Sequence, residues 1–133
     1  MDHKKLAYFF ARITLGVNFS IHGLVRLPKL QGFAEGIVEG FEGSMLPEFM
    51  VIPFAYAIPI LELILGIMLL LGIYTNKALA ASAILMIVLI AGSAFKEDWG
   101  AVSTQMLYAL YIFFLIFFQE NNSWSLIANK KTK

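Results

Sequence analysis

The chain contains no cysteine. That excludes disulfides, thiol relays and thiolate metal sites together, so any redox chemistry must be carried by a bound cofactor or a partner. Charge is scarce as well: 14% of the 133 residues are charged, against about 25% in a typical soluble domain. The net charge is +1, and no basic stripe exists to neutralise phosphates, which argues against nucleic acid as a partner. There are only two histidines, of which His3 is close to the N-terminus. One His and one Glu within the apolar stretches fall short of a zinc or iron ligand set, so no metal is expected. A glycine-rich phosphate loop, a nucleophile elbow and an HExxH pair are all missing.

What the chain has in abundance is apolar surface: 59% of its residues are hydrophobic and the mean hydropathy is +0.77. A hydrocarbon core about 30 Å thick needs roughly 20 apolar residues in a helix. Four stretches meet or approach that length, at about 6–27, 51–72, 78–95 and 101–118. They predict an all-α integral membrane protein, an antiparallel four-helix bundle forming a single domain over 1–133. Arg12 interrupts the first apolar run and no small-x-small cleavage site follows it, so this run is read as a retained helix rather than a signal peptide.

The basic residues predict the orientation. Lys4, Lys5, Lys77, Lys130, Lys131 and Lys133 fall on one side of four spans. Arg26, Lys29 and Lys96 fall on the other, mixed with Glu35, Glu39, Glu42, Glu48, Glu97 and Asp98. The positive-inside rule then places both termini and a tail at 119–133 in the cytoplasm. Trp99, Tyr74 and Trp124 stand near the expected interfaces. Thr75-Asn76-Lys77 and Lys96 to Gly100 read as tight turns. The outer loop at 28–50 is longer, and within it Phe33, Ile37 and Phe41 recur every fourth residue while Glu35, Glu39 and Glu42 take another face. That spacing predicts a short helix on the membrane surface, its acids suited to a lid over a cationic site, or equally a solvated loop with a partly helical stretch.

The polar residues inside the spans are few. A charged side chain at mid-bilayer costs about 2.5–3.5 kcal/mol on insertion scales, and each large aliphatic offsets only about 0.3–0.6. The first span carries Arg12, Asn18, His22 and Arg26, with the last three at i, i+4, i+8 on one face. The second carries Glu62, the one acid within any span, a turn after Pro59, whose missing N–H frees the carbonyl of Ala55 and should bend the helix. Ser82 and Ser93 belong to the third span and Gln105, Tyr108 and Tyr111 to the fourth. Glu62 has Arg12 on one side and His22 with Arg26 on the other as possible partners. Arg12 with Glu62 is the expected structural charge pair. His22 and Glu62 are the candidate proton relays, and Asn18, His22, Arg26 and Gln105 the candidate ligand-binding set. Met68, Met86 and Met106 are expected to serve packing.

These patterns together resemble the DoxX family of small four-helix membrane proteins. The resemblance rests on Arg12-Ile13-x-Leu15-Gly16 leading to His22-Gly23-x-x-Arg26-Leu27. It continues through Glu62-Leu-Ile-Leu-Gly66, Leu69-Leu70-Leu71-Gly72 and the Tyr74-Thr75-Asn76-Lys77 element. It implies a bacterial inner-membrane protein. Members include the membrane subunit of thiosulfate:quinone oxidoreductase, and others are linked to membrane oxidoreductase complexes. The expected function is accordingly a quinone-interacting module, a subunit of a membrane oxidoreductase system. The alternatives are a non-catalytic assembly subunit or, last, a small transporter or lipid-binding protein. The expected partners are membrane lipids, a membrane or periplasmic protein, and a second copy of the chain. The family often has Lys where this chain has Arg26, which keeps the charge and changes the hydrogen-bond geometry.

Overall fold

The computed structural model describes residues 2–126. Helix α1 spans His3–Arg26 and runs through a single 3-10 turn, Leu27–Lys29, into the short α2, Leu30–Gly40. Three long helices follow: α3 at Glu48–Leu71, α4 at Thr75–Phe95 and α5 at Trp99–Phe117, with a last 3-10 turn at Gln119–Asn121. No β-strand occurs among the described residues.

The helix ends have local causes. The Asp2 carboxylate accepts the Lys4 N–H at 2.9 Å and starts α1. Asp98 does the same for α5 through the Ala101 N–H at 3.1 Å. Gly72, at φ +69°, ends α3, and the Ile73 N–H closes on the Met68 carbonyl at 2.9 Å. The tight turn expected at Thr75-Asn76-Lys77 is displaced: Gly72 to Tyr74 make it, and those three residues already form the first turn of α4. Likewise α5 begins at Trp99, so the outer turn closes with Asp98. Helix α3 continues unbroken through Pro53 and Pro59.

Helices α3, α4 and α5 are long and apolar enough to cross a membrane. At 24 residues α1 is also long enough, about 36 Å, but its Lys4, Lys5, Arg12 and Arg26 set it apart in composition. All four long helices contribute to one apolar core, through Leu15 and Phe19, Leu65 and Leu69, Leu79 and Met86, and Ile112 and Leu115.

Helices α1 and α3 approach to backbone contact. Gly16, Ser20 and Gly23 share one face of α1. A Cβ at Gly23 would stand 2.5 Å from the Pro59 carbonyl oxygen, one at Gly16 would stand 2.8 Å from the Leu70 nitrogen, and one at Gly66 would fall on the Ser20 backbone. Small residues at such a seam let dispersion forces hold helices together where no hydrophobic effect operates. The same contacts set the register: residue 23 lies level with 59–63, residue 20 with 66 and residue 16 with 70, so the two helices run antiparallel.

At the other edge of α1, tyrosines make the contact with α5. Tyr8 donates to the Leu115 carbonyl at 2.6 Å, and Tyr111 donates back to the Ala11 carbonyl at 2.7 Å. The chain after α5 turns back onto the base of the molecule, where the Leu126 N–H bonds the Leu71 carbonyl at 3.0 Å. The tail foreseen at 119–133 is therefore docked as far as Leu126. Lys130, Lys131 and Lys133 lie outside the described residues.

Candidate functional site

The register of α1 on α3 decides which charges meet. Residues 22–26 of α1 stand level with the middle of α3, and Arg26 Nη1 lies 3.2 Å from Glu62 Oε2 in an ion pair. The Glu62 side chain is 9% exposed and that of Arg26 27%, so the acid is deeply placed and the arginine mostly covered. The other face of Arg26 is covered by α2: the Phe33 ring centroid is 4.5 Å from Arg26 Cζ, a distance at which the ring quadrupole attracts the cation.

His22 sits one turn before Arg26. Its Nδ1 is 2.7 Å from the Asn18 carbonyl oxygen. A carbonyl only accepts, so Nδ1 carries a proton, and Nε2 makes no hydrogen bond among the described residues. From α5, Gln105 Nε2 donates to Ser93 Oγ on α4 at 3.0 Å. The other atom of that amide, Oε1, is buried and has no protein partner.

These groups line one cavity of about 210 Å³. Its walls hold Asn18, His22, Arg26, Glu62 and Gln105 together with apolar side chains such as Phe19, Ile58 and Leu89. All four residues read from the sequence as a ligand-binding set thus face the same space, with Glu62 among them. Four further lining residues were not assigned to a site from the sequence: Phe33 and Ile37 of α2, Met86 of α4 and Tyr108 of α5. The i, i+4 spacing of Phe33 and Ile37 marked an apolar face, but only the fold shows what that face covers. Tyr108 is three residues after Gln105, hence on the same side of α5, which was the available signal.

Two expectations need correction. Arg12 and Glu62 do not pair. Arg12 Nη1 lies 3.1 Å from where a Cβ on Gly72 would be, so Arg12 stands level with residue 72, about 15 Å along α3 from Glu62. It is fully buried at the far end, where Nη1 donates to Asn122 Oδ1 at 2.6 Å and to the Ser123 carbonyl at 3.2 Å. Nη2 donates to the Trp124 carbonyl at 3.2 Å, and the Phe9 ring lies 5.4 Å from Cζ. The second correction concerns α2. Its acids Glu35 and Glu39, like Glu42 beyond it, are exposed, and it is the apolar face that covers the cation. Arg26 is already paired with Glu62, so burying three more carboxylates beside it would leave all three uncompensated.

Such an arrangement defines a helical membrane protein in which several of the scarce polar groups of its long helices line one half-open cavity. The chain belongs to the DoxX family, whose model matches residues 7–97. That stretch takes in α1 from its fifth residue through α4, and with them every cavity residue except Gln105 and Tyr108. No curated relative and no solved structure matches the chain. Among the described residues, no group of three or more His, Asp or Glu is placed to hold a metal ion.

Proposed function

We propose that this protein is a four-span antiparallel bundle of the bacterial inner membrane that binds a quinone and serves as a subunit of a membrane oxidoreductase system. On this reading α1 crosses with the three apolar helices. Both termini are cytoplasmic, and α2 lies on the outer surface with its acids in water and Phe33 and Ile37 turned inward. The lysines of the two ends support that orientation.

The observation that carries the reading is the convergence of Asn18, His22, Arg26, Glu62 and Gln105 on one cavity with otherwise apolar walls. A quinone head needs an apolar slot with a few polar contacts at its ring oxygens, and about 210 Å³ is room for a single ring, its tail passing into lipid. A bound quinone supplies two-electron, two-proton redox chemistry. The chain's own residues have narrower tasks. Arg26 would donate to a ring oxygen with an N–H not engaged by Glu62, and Glu62 would hold Arg26 in place. His22 would take up or release a proton at Nε2, while Phe33 and Ile37 keep water out. The electrons would pass to or from a partner subunit, since the chain has no cysteine.

A scaffold role is less well supported. A helix kept only to dock a partner would leave its polar face unsatisfied when alone, whereas Arg12, His22 and Arg26 all find partners within the chain. The test is mass spectrometry of the lipids that co-purify with wild type, His22→Ala and Glu62→Gln. Near-stoichiometric quinone in wild type, depleted in both variants, is the expected result. Only bulk phospholipid in all three would move the assignment to an assembly subunit.

A further inference from the structure

A second and larger cavity, about 410 Å³, lies between α1 and α5 at the end where α1 begins and α5 finishes. It shares no lining residue with the first. Small residues leave it open: Ala7 and Ala11 stand one turn apart on α1, across from Phe114 and Phe118, one turn apart on α5. Tyr8 and Tyr111 also line it, and their hydroxyls are engaged by the backbone carbonyls of Leu115 and Ala11. The walls are almost wholly apolar. From Lys4 to Ala11 the slot extends about 10 Å along the helices. Ala7, Phe114 and Phe118 are exposed, so it opens sideways.

Its polar groups stand at one end. Lys4 is the second residue of α1, and Asn121 lies in the turn after α5. Among the described residues the Lys4 ammonium makes no hydrogen bond or ion pair, and Glu120, beside Asn121, is exposed and does not pair with it. On the four-span reading this end lies at headgroup level, with the slot beyond it in hydrocarbon. A long apolar slot with a cation at its interfacial end fits a molecule that joins a hydrocarbon chain to an anionic group. The phospholipids of the bilayer present both, already in that orientation. We propose that this cavity binds one phospholipid of the cytoplasmic leaflet, an acyl chain lying between α1 and α5 and its phosphate paired with Lys4. The proposal rests on the four-span placement of α1 and is independent of the quinone reading.

Delipidated protein in detergent is titrated with dioleoylphosphatidylglycerol, and bound lipid is counted by native mass spectrometry. Two further probes are dioleoylglycerol, which keeps both chains and loses the phosphate, and oleate, which has one chain and a carboxylate. The expected result is one phosphatidylglycerol per chain, held at least about fivefold more tightly than dioleoylglycerol. Equal binding of dioleoylglycerol overturns the proposal, because the phosphate is then not being read. Oleate bound as tightly makes the occupant a fatty acid and also overturns it. Ala7→Phe and Ala11→Leu fill the slot and should abolish phospholipid binding; retention in both overturns the assignment to this cavity. Ala7 is exposed, so its variant keeps the test decisive where Ala11→Leu fails to fold. Lys4→Gln should lower phosphatidylglycerol to the dioleoylglycerol level, while Lys77→Gln, at the start of α4, should leave it unchanged. If Ala7→Phe instead strips co-purifying quinone or dissociates a dimer, the occupant is a quinone tail or a second copy, and the proposal falls.

Discussion

Replacing Glu62 by glutamine removes the charge that Arg26 faces while keeping the shape of the side chain. Breaking a buried pair costs about 3–5 kcal/mol, and the 27% exposure of the Arg26 side chain reduces this to about 1–2 kcal/mol here. The sharper measurement is a pair of double-mutant cycles by thermal or denaturant unfolding in detergent. Glu62→Gln with Arg26→Gln should show a coupling of about 1 kcal/mol or more, whereas Glu62→Gln with Arg12→Gln should be additive to within about 0.5 kcal/mol. Coupling in the second cycle and none in the first would mean that α1 is set against α3 in another register. The residue types were legible beforehand: an apolar helix with Arg12, Asn18, His22 and Arg26 and a second with one acid announce an internal polar site. The pairing was not legible. Choosing between Arg12 and Arg26 depends on where Gly16, Ser20 and Gly23 settle on α3, and single-chain periodicity carries no information about register.

Between helices, the α1 to α3 seam should tolerate almost no added volume. Gly23→Ala places a methyl 2.5 Å from the Pro59 carbonyl oxygen, where neither backbone can yield, and a loss of about 1–3 kcal/mol is expected in unfolding measurements. The control is Gly36→Ala on α2, where nothing lies within 4 Å. That change should be neutral or stabilise by up to about 1 kcal/mol through helix propensity alone. Helix α2 itself carries a separate expectation. Phe33→Ala removes the ring over Arg26, so amide hydrogen exchange should accelerate in Leu30–Gly40 and remain unchanged in α4. The existence of α2 followed from the i, i+4 recurrence of Phe33 and Ile37. Its charge suggests a lid with the acids toward a cationic site, but Glu35 and Glu39 are exposed and Phe33 covers Arg26, because the desolvation cost of the carboxylates prevails over that attraction.

Across the whole molecule, side chains of α1 tie it to the segment that follows α5. Arg12 holds Asn122, Ser123 and Trp124, and Phe9 meets the Trp124 ring edge-on at a centroid distance of 4.7 Å. Arg12→Leu should free this segment, so limited proteolysis of the purified protein should cut after α5 faster than in wild type. Cutting at an unchanged rate would show that the Leu126 to Leu71 hydrogen bond holds the segment without Arg12. A reporter fused after Lys133 is expected to register as cytoplasmic, and an external signal would reverse the proposed topology. The helical class and the three apolar helices were legible from hydropathy alone. The docking of Asn122 to Leu126 was not, because that stretch is polar, lacks periodicity and has its partner more than a hundred residues away.

That separation bears on how the protein is made. Arg12 and its acceptor Asn122 are 110 residues apart, which at about 5–20 residues per second is roughly 5–20 s of synthesis. The acid that meets Arg26 emerges only 36 residues behind it, so the pair at the cavity can close while translation continues. Throughout the longer interval Arg12, the most buried cation among the described residues, lacks the acceptors it holds in the folded chain. On the four-span reading, helix α1 then either waits at the bilayer surface or is sheltered by the insertion machinery until the last helix arrives. A chain truncated just before Asn122 and released would keep every residue that lines the cavity and lack the three acceptors of Arg12.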